Sequence, residues 1–221
     1  MDILYEDARI VVAVKPAGVL STDEPGGMPE LLRARLHTDC IRTVHRLDAQ
    51  VSGVMVFARS RVAASLLSRQ LREHRFTKEY LAVLRGAPPR PAAELTDLLA
   101  RDPQRRLTYV ANAPSPDTRE ARLSYGTVDT ADGLTLVCVR LHTGRTHQIR
   151  VQFASRGLPL SGDRKYGADD APWPIALWSY RLSFDHPQTG AALTFSCPPH
   201  RRGAEGALPR RPVLAAISKG L

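Results

Sequence analysis

Apolar residues in this chain come in short runs, "RIVVAV", "VMVFA", "YLAVL" and "LTLVCV", each closed off within a few residues by glycine, proline or charge. Runs of that length suit β-strands, and a chain that holds several of them between turn residues must pair them into a sheet. None approaches the ~20 apolar residues that a membrane span needs. The opening "MDILYED" is acidic rather than signal-like, so the expected location is the cytoplasm.

The strands alternate with a few helical patterns. "DILYE" and "RIVVAV" read as a hairpin turning at Asp7 and Ala8, and "KPAG" stops the second strand with Pro16 and Gly18. "ELLRARLH" follows as a helix, with Leu31, Leu32 and Leu36 on one stripe and Pro29 in the first turn. "GVMVFAR" is a buried strand, and "SRVAASLLSRQLREH" a helix capped by Ser60 with Val62, Leu66 and Leu67 as its apolar residues. "TKEYLAVLRG" alternates as a strand, while "GAPPRPAA" and "NAPSPDT" are loops by their proline content. "EARLSYGTV" and "LTLVCVRLH" are strands. "GRTHQIRVQFASRG" reads as a turn and a helix, capped by Thr146 and stopped at Gly157. "ALWSYRLSF" and "AALTFSC" close the sheet around the turn "DHPQTG", and the tail has room for a last short helix.

With 221 residues, no internal repeat and no linker, the expectation is a single α+β domain spanning 1–221. Its centre is a mostly antiparallel (mixed) β-sheet flanked by helices and loops. The core is expected over about 3–198 and the tail over 199–221, with no separate N-terminal domain.

Charge narrows the partner. There are 31 Lys and Arg against 22 Asp and Glu, a net charge of +9, which points to a polyanion and above all to nucleic acid. The competing explanation is a composition that favours arginine and alanine, since Lys15, Lys78, Lys165 and Lys219 are the only lysines. Cys40, Cys138 and Cys197 are odd in number, widely separated and free of any CxxC spacing, which reads as three reduced thiols.

Two segments offer chemistry. In "TVHRLDAQVSG", Asp48 stands at a strand–loop junction, where a carboxylate must be paired or hydrogen-bonded to stay charged. It is either the partner of Arg46 in a structural ion pair or an ionised nucleophile or base. In "LHTGRTHQIR", a glycine turn and a helix start carry Arg145 and Arg150, groups that bind anions, although a capped helix with solvated arginines has the same sequence. His142 and His147 lack the spacing and companions of a zinc site, so no metal is expected. No GxSxG elbow, P-loop or GxGxxG fingerprint occurs, which removes the residues that serine hydrolase, NTPase and dinucleotide chemistry need. Tyr80, taken alone, is an ordinary strand aromatic.

Together, "HRLDAQVSGVMVFA", "KEYLAVLRG" and "TGRTHQIRVQFASRGLPLSGDRKYG", in that order, resemble the RluA family of RNA pseudouridine synthases. The opening "ILYEDARIVVAVKPAGVLS" resembles the family's N-terminal strand pair and "NKPAG" turn, and the likeness runs from about Ile3 to Pro198. It implies the pseudouridine synthase fold and an isomerase that needs no cofactor and no metal. It implies Asp48 as the catalytic aspartate, Tyr80 as the residue stacking on the target base, and Arg150 as the arginine paired with the aspartate. Arg46 would help displace the base, and Arg145 and Arg164 would contact phosphates of a ribosomal or transfer RNA stem-loop, bound by a monomer. A second reading is a non-catalytic RNA-binding or RNA-folding protein on the same scaffold. Retention of Asp48, Tyr80 and Arg150 together argues for the enzyme. Val51, where many members have threonine, and Trp178, where histidine is frequent, are departures that bear on the target rather than the reaction.

Overall fold

The computed structural model describes residues 1–167 and 173–199. In chain order the elements are β1 (Ile3–Glu6), β2 (Ile10–Lys15), α1 (Met28–Leu36), β3 (Arg42–Thr43), β4 (Ser52–Ala58), α2 (Arg61–Arg72) and β5 (Thr77–Arg85). They continue with β6 (Ala92–Asp102), β7 (Leu107–Val110), β8 (Arg119–Ala131), β9 (Leu134–Leu141), α3 (Gln148–Ala154), β10 (Leu177–Asp185) and β11 (Ala192–Ser196). The backbone divides into two compact units, one of residues 1–78 with 178–199, the other of 79–167 with 173–177. The tail helix expected from the sequence lies outside the described residues.

The first unit is organised on β2 and β4, which pair antiparallel from Ile10↔Ala58 to Lys15↔Gly53. Both strands are buried on both faces, which is why their sequences are continuous apolar runs rather than alternations. β1 joins β2 across the expected turn, closed by the Asp7 carboxylate, which accepts the N–H groups of Arg9 at 2.7 Å and Ile10 at 2.8 Å. β10 runs parallel to β4, and β11 pairs antiparallel with β10, so the arrangement is mixed. One face of β2 and β4 packs on Ala63 and Leu67 of α2 and on the stacked rings of Phe76 and Phe184.

The helices fall where the sequence places them, and their apolar faces agree in part: Leu32 and Leu67 are buried, Leu31 and Val62 are not. Ser60 caps α2 by accepting the Ala63 N–H at 3.1 Å. Val62, however, is 69% exposed, and the buried residues are Ala63, Leu67 and Gln70. In α1, Pro29 does sit in the first turn, yet Leu31 is exposed while Met28 and Leu32 carry the contact. In each case one apolar residue of the pattern lies just outside the stripe that the helix buries.

The second unit is a ladder in the order β5-β9-β8-β6-β7. β8 and β9 meet in a two-residue turn, Asp132 and Gly133, both with positive φ (53° and 72°), a geometry that Asp-Gly accepts readily. The β6–β7 hairpin was not anticipated: its sequence, "AAELTDLLARD", begins in an assumed proline-rich loop and contains few β-branched residues. It is a strand because β7 and β8 pair with it on both sides, and pairing outweighs weak propensity.

α3 is buried from Gln148 to Phe153, so its polar residues must find partners within the unit. Gln152 donates to Asp97 at 2.7 Å and to the Ala121 carbonyl at 3.2 Å. Thr146 does not cap the helix as expected: the N-cap is His147, in a left-handed conformation and without a side-chain cap. Gln148 folds back instead, its Oε1 accepting from the Arg145 N–H at 3.0 Å and the Thr143 hydroxyl at 2.8 Å.

Gly53 is one place where the first unit admits no other residue. Its φ is +124°, and a β-carbon there would lie 2.3 Å from the Ser179 carbonyl oxygen. Gly53→Ala is therefore expected to cost more than about 2 kcal/mol in chemical denaturation. Gly126→Ala, at a β8 position with nothing within 4 Å of the added carbon, is expected to be close to neutral in the same assay.

Candidate active site

Asp48 is carried by a loop that starts beside one end of β4 and returns to the other. β3 leaves the chain at Thr43, opposite Phe57, and β4 begins at Ser52. Several of the intervening residues are tied by hydrogen bonds to the rest of the first unit. His45 is buried and its Nε2 accepts the Val56 N–H at 3.2 Å, taking a place on the edge of β4 that a neighbouring strand would otherwise fill. The Ser21 hydroxyl donates to the Leu47 carbonyl at 2.8 Å and accepts the Leu47 N–H at 3.0 Å. Val51 closes the turn by donating to the Asp48 carbonyl at 3.0 Å.

The strongest of these anchors is Lys15, at the end of β2. Its side chain is fully buried, and its ammonium donates to the carbonyls of Pro16 (2.9 Å), Val19 (2.6 Å) and Ala49 (2.9 Å). Gly18 adds a fourth tie, its N–H reaching the same Ala49 carbonyl at 2.8 Å. Burial pushes the Lys15 pKa down to about 8, while the negative charge of Asp48 pulls it the other way. Asp48, half-buried, is thus held next to a buried cation. His45 is neutral: burial, with Lys78 adding to it, brings its pKa down to about 3.

Arg46 is exposed and forms no hydrogen bond or ion pair among the described residues, so the Arg46–Asp48 ion pair that the sequence also permitted is not the arrangement here. Lys15 is not among the site residues that the sequence suggests. A lysine at the end of an apolar run was the available signal.

In the second unit, Tyr80 is a buried residue of β5. Arg150, on α3, is 10% exposed and forks onto Asp163, Nε to Oδ2 and Nη2 to Oδ1, both at 2.8 Å. The guanidinium also lies over the ring of Tyr166, 5.1 Å from its centroid. Arg145 is exposed, with Nε donating to the Glu120 carbonyl at 2.8 Å, and Arg164 is exposed. Asp163 and Tyr166 were not singled out by sequence reasoning, though "GDRKYG" closes the third family-like stretch.

Each unit carries part of the motif order by which the sequence resembles the pseudouridine synthases, the first a carboxylate beside a buried cation and the second a buried tyrosine and a forked arginine. Residues 9–155 match the family profile described as RNA pseudouridylate synthase, and the chain belongs to that family. Within it the protein falls among RluA-type enzymes. It is 36% identical over 210 residues to the dual-specificity RNA pseudouridine synthase RluA of Escherichia coli (strain K12), covering 89% of this chain and 92% of that protein. It is 33% identical over 218 residues to an uncharacterized RNA pseudouridine synthase of Aquifex aeolicus (strain VF5), covering 88% of this chain and 68% of that one. Among solved structures, human RNA Pseudouridylate Synthase Domain Containing 1 superposes with a TM-score of 0.78 at 22% identity, covering 99% of this chain and 94% of that one. Human RNA Pseudouridylate Synthase Domain Containing 4 gives 0.73 at 20% identity, covering 98% and 92%. These likenesses fix the fold as the α+β pseudouridine synthase fold. The family profile spans Asp48, Tyr80 and Arg150 and stops short of Asp163.

The depressed Lys15 pKa sets a sign. Between about pH 8 and 10.5 the unfolded chain holds a proton that the folded chain has released, so this group adds stability as pH rises through that window. Below about 8 the cost of burying the charged form is borne in full. Guanidinium unfolding of wild type and Lys15→Met, which does not titrate, checks it: the difference, wild type minus variant, is expected to rise by up to ~3 kcal/mol across the window. A flat difference would show that Lys15 is not desolvated.

Proposed function

We propose that this RNA pseudouridine synthase isomerises specific uridines in ribosomal or transfer RNA, recognised as stem-loops, with Asp48 as the essential carboxylate. The observation that carries this reading is the Asp48 loop, whose neighbours are tied to buried groups on both sides while the carboxylate stays next to the Lys15 charge.

The reaction needs little else. The bond from ribose C1′ to uracil N1 breaks, the detached base turns, and a bond from C1′ to C5 forms. The hydrogen on C5 leaves as a proton and N1 gains one, so atoms and charge balance without any oxidant, water or group donor. An anionic carboxylate can attack C1′ or take up a proton, and either role needs it ionised in a site that keeps the loose base from leaving. Tyr80 stacks on that base, and Arg150 is the arginine that the family resemblance pairs with the carboxylate.

Access to C1′ requires the uridine to leave its stack, which costs a few kcal/mol. Arg46, exposed and two positions before Asp48, enters the space that the departing base leaves. Exposed Arg145 and Arg164 contact phosphates, within an overall charge of +9 that draws RNA in and makes affinity fall with salt. The protein acts as a monomer in the cytoplasm. Among the described residues no helix is long and apolar enough to cross a membrane.

Asp48→Asn is expected to abolish isomerisation with RNA affinity nearly unchanged, because the amide has the same shape but cannot act as an anionic nucleophile. Tritium release from RNA labelled at uracil C5 measures this. Substantial release by the variant would remove Asp48 from the mechanism.

Local recognition makes a second prediction. Sequence-specific RNA readers favour loops whose bases splay out easily, so a short stem-loop bearing the target uridine is expected to react nearly as fast as the full RNA at low salt. Single-turnover rates on the two substrates compare them. An inert stem-loop would point to recognition of tertiary shape.

A further inference from the structure

The Arg150 guanidinium is held on two sides by one short segment, and we infer that Asp163 and Tyr166 are positioning residues for the reaction, acting through Arg150. This rests on the role given to Arg150 above and extends it to residues beyond the matched family profile.

Asp163 is a carboxylate with no exposed surface. Its Oδ1 accepts the backbone N–H groups of Lys165 at 3.0 Å and Tyr166 at 3.2 Å as well as Arg150 Nη2, while Oδ2 takes Nε. One side chain therefore folds its own turn and grips the arginine in the plane of the guanidinium. The same turn brings the Tyr166 ring against the face of that plane, 5.1 Å from its centroid. An in-plane fork stops rotation, and a ring on the face stops tilt. Neither alone fixes a planar cation.

The ring is itself immobilised. Its hydroxyl accepts the Thr108 N–H at 2.9 Å, which leaves the phenolic proton for His147 Nδ1 at 2.7 Å. The imidazole meets the ring edge-on, 5.5 Å between centroids, from a residue held at φ +54°. β7 and the helix start thus hold the Tyr166 ring, and the 163–166 turn holds the guanidinium. Its orientation is set before substrate arrives, as preorganised electrostatic stabilisation requires. A positioning residue of this kind should influence the rate of the chemical step and leave RNA binding alone.

The test compares Tyr166→Phe, Tyr166→Leu, Tyr166→Met and Asp163→Asn in single-turnover assays on folded protein, with kcat and KM measured separately. Phenylalanine keeps the face contact and loses the hydroxyl network, so it is expected to lower stability but hold kcat within about 3-fold. The ring-less variants and Asp163→Asn are expected to lower kcat on the order of 10- to 100-fold at unchanged KM. If Asp163→Asn keeps wild-type kcat, if phenylalanine and leucine lose rate equally, or if the loss falls on KM, the inference is wrong. Should leucine and methionine fail to fold, Asp163→Asn decides alone. Arg150→Lys separates this from the reading beneath it. Wild-type kcat in that variant would overturn the role of Arg150 itself, whereas a slow Arg150→Lys beside fast Asp163 and Tyr166 variants would overturn only the positioning role.

Discussion

A buried ammonium must be surrounded by oxygen, and Lys15 satisfies that requirement with carbonyls from two different loops. The rest of the first unit depends on this. The β2–β4 ladder sets Lys15 opposite Gly53, at the point where the Asp48 loop rejoins the sheet. From there the ammonium reaches forward into its own turn and across to Ala49. Apolar burial in β2 and β4 supplies the stability, but it is not directional and could not by itself say where residue 48 should stand. The polar contacts do that: each is short, each ends on backbone, and each would leave a buried group unsatisfied if the loop moved.

The second unit solves a similar problem with a helix. α3 has seven residues and almost no exposed face, so its glutamines and its arginine cannot be solvated. Each is met by a different neighbour: Gln148 by the turn before the helix, Arg150 by Asp163, Gln152 by Asp97 and the β8 backbone. The helix is too short to hold itself together, since propensity alone gives a chain of that length little stability. It is ordered by what surrounds it, and its arginine inherits that order.

The strands were legible because a strand buried on both faces must be written as a continuous apolar run, and "RIVVAV" and "GVMVFA" are. The family was legible through motif order, which carries likeness without any knowledge of contacts. What escaped had no local signature. β6 is a strand because of partners on both sides rather than its own composition, and the His147 N-cap exists because Gln148 turns back to bind the preceding loop. Lys15 and Asp163 were missed for a related reason: a charge inside an apolar setting looks like an ordinary surface residue until its partners are seen, and those lie in other segments.

His45 has a consequence for how protons move. It stands three residues before Asp48, where an imidazole would ordinarily be considered as a shuttle. Its Nε2 lone pair is occupied by the Val56 N–H, and burial, which brings its pKa down to about 3, keeps it uncharged at neutral pH. The proton therefore resides on Nδ1, walled in and with no acceptor beside it among the described residues. A histidine used in this way is a splint for the backbone, and the enzyme is left to exchange hydrogen between carbon and nitrogen without an imidazole relay from that loop. Isomerisation that begins and ends with the same atoms can tolerate such economy, because the proton shed at C5 and the one gained at N1 need not be the same and water can carry both.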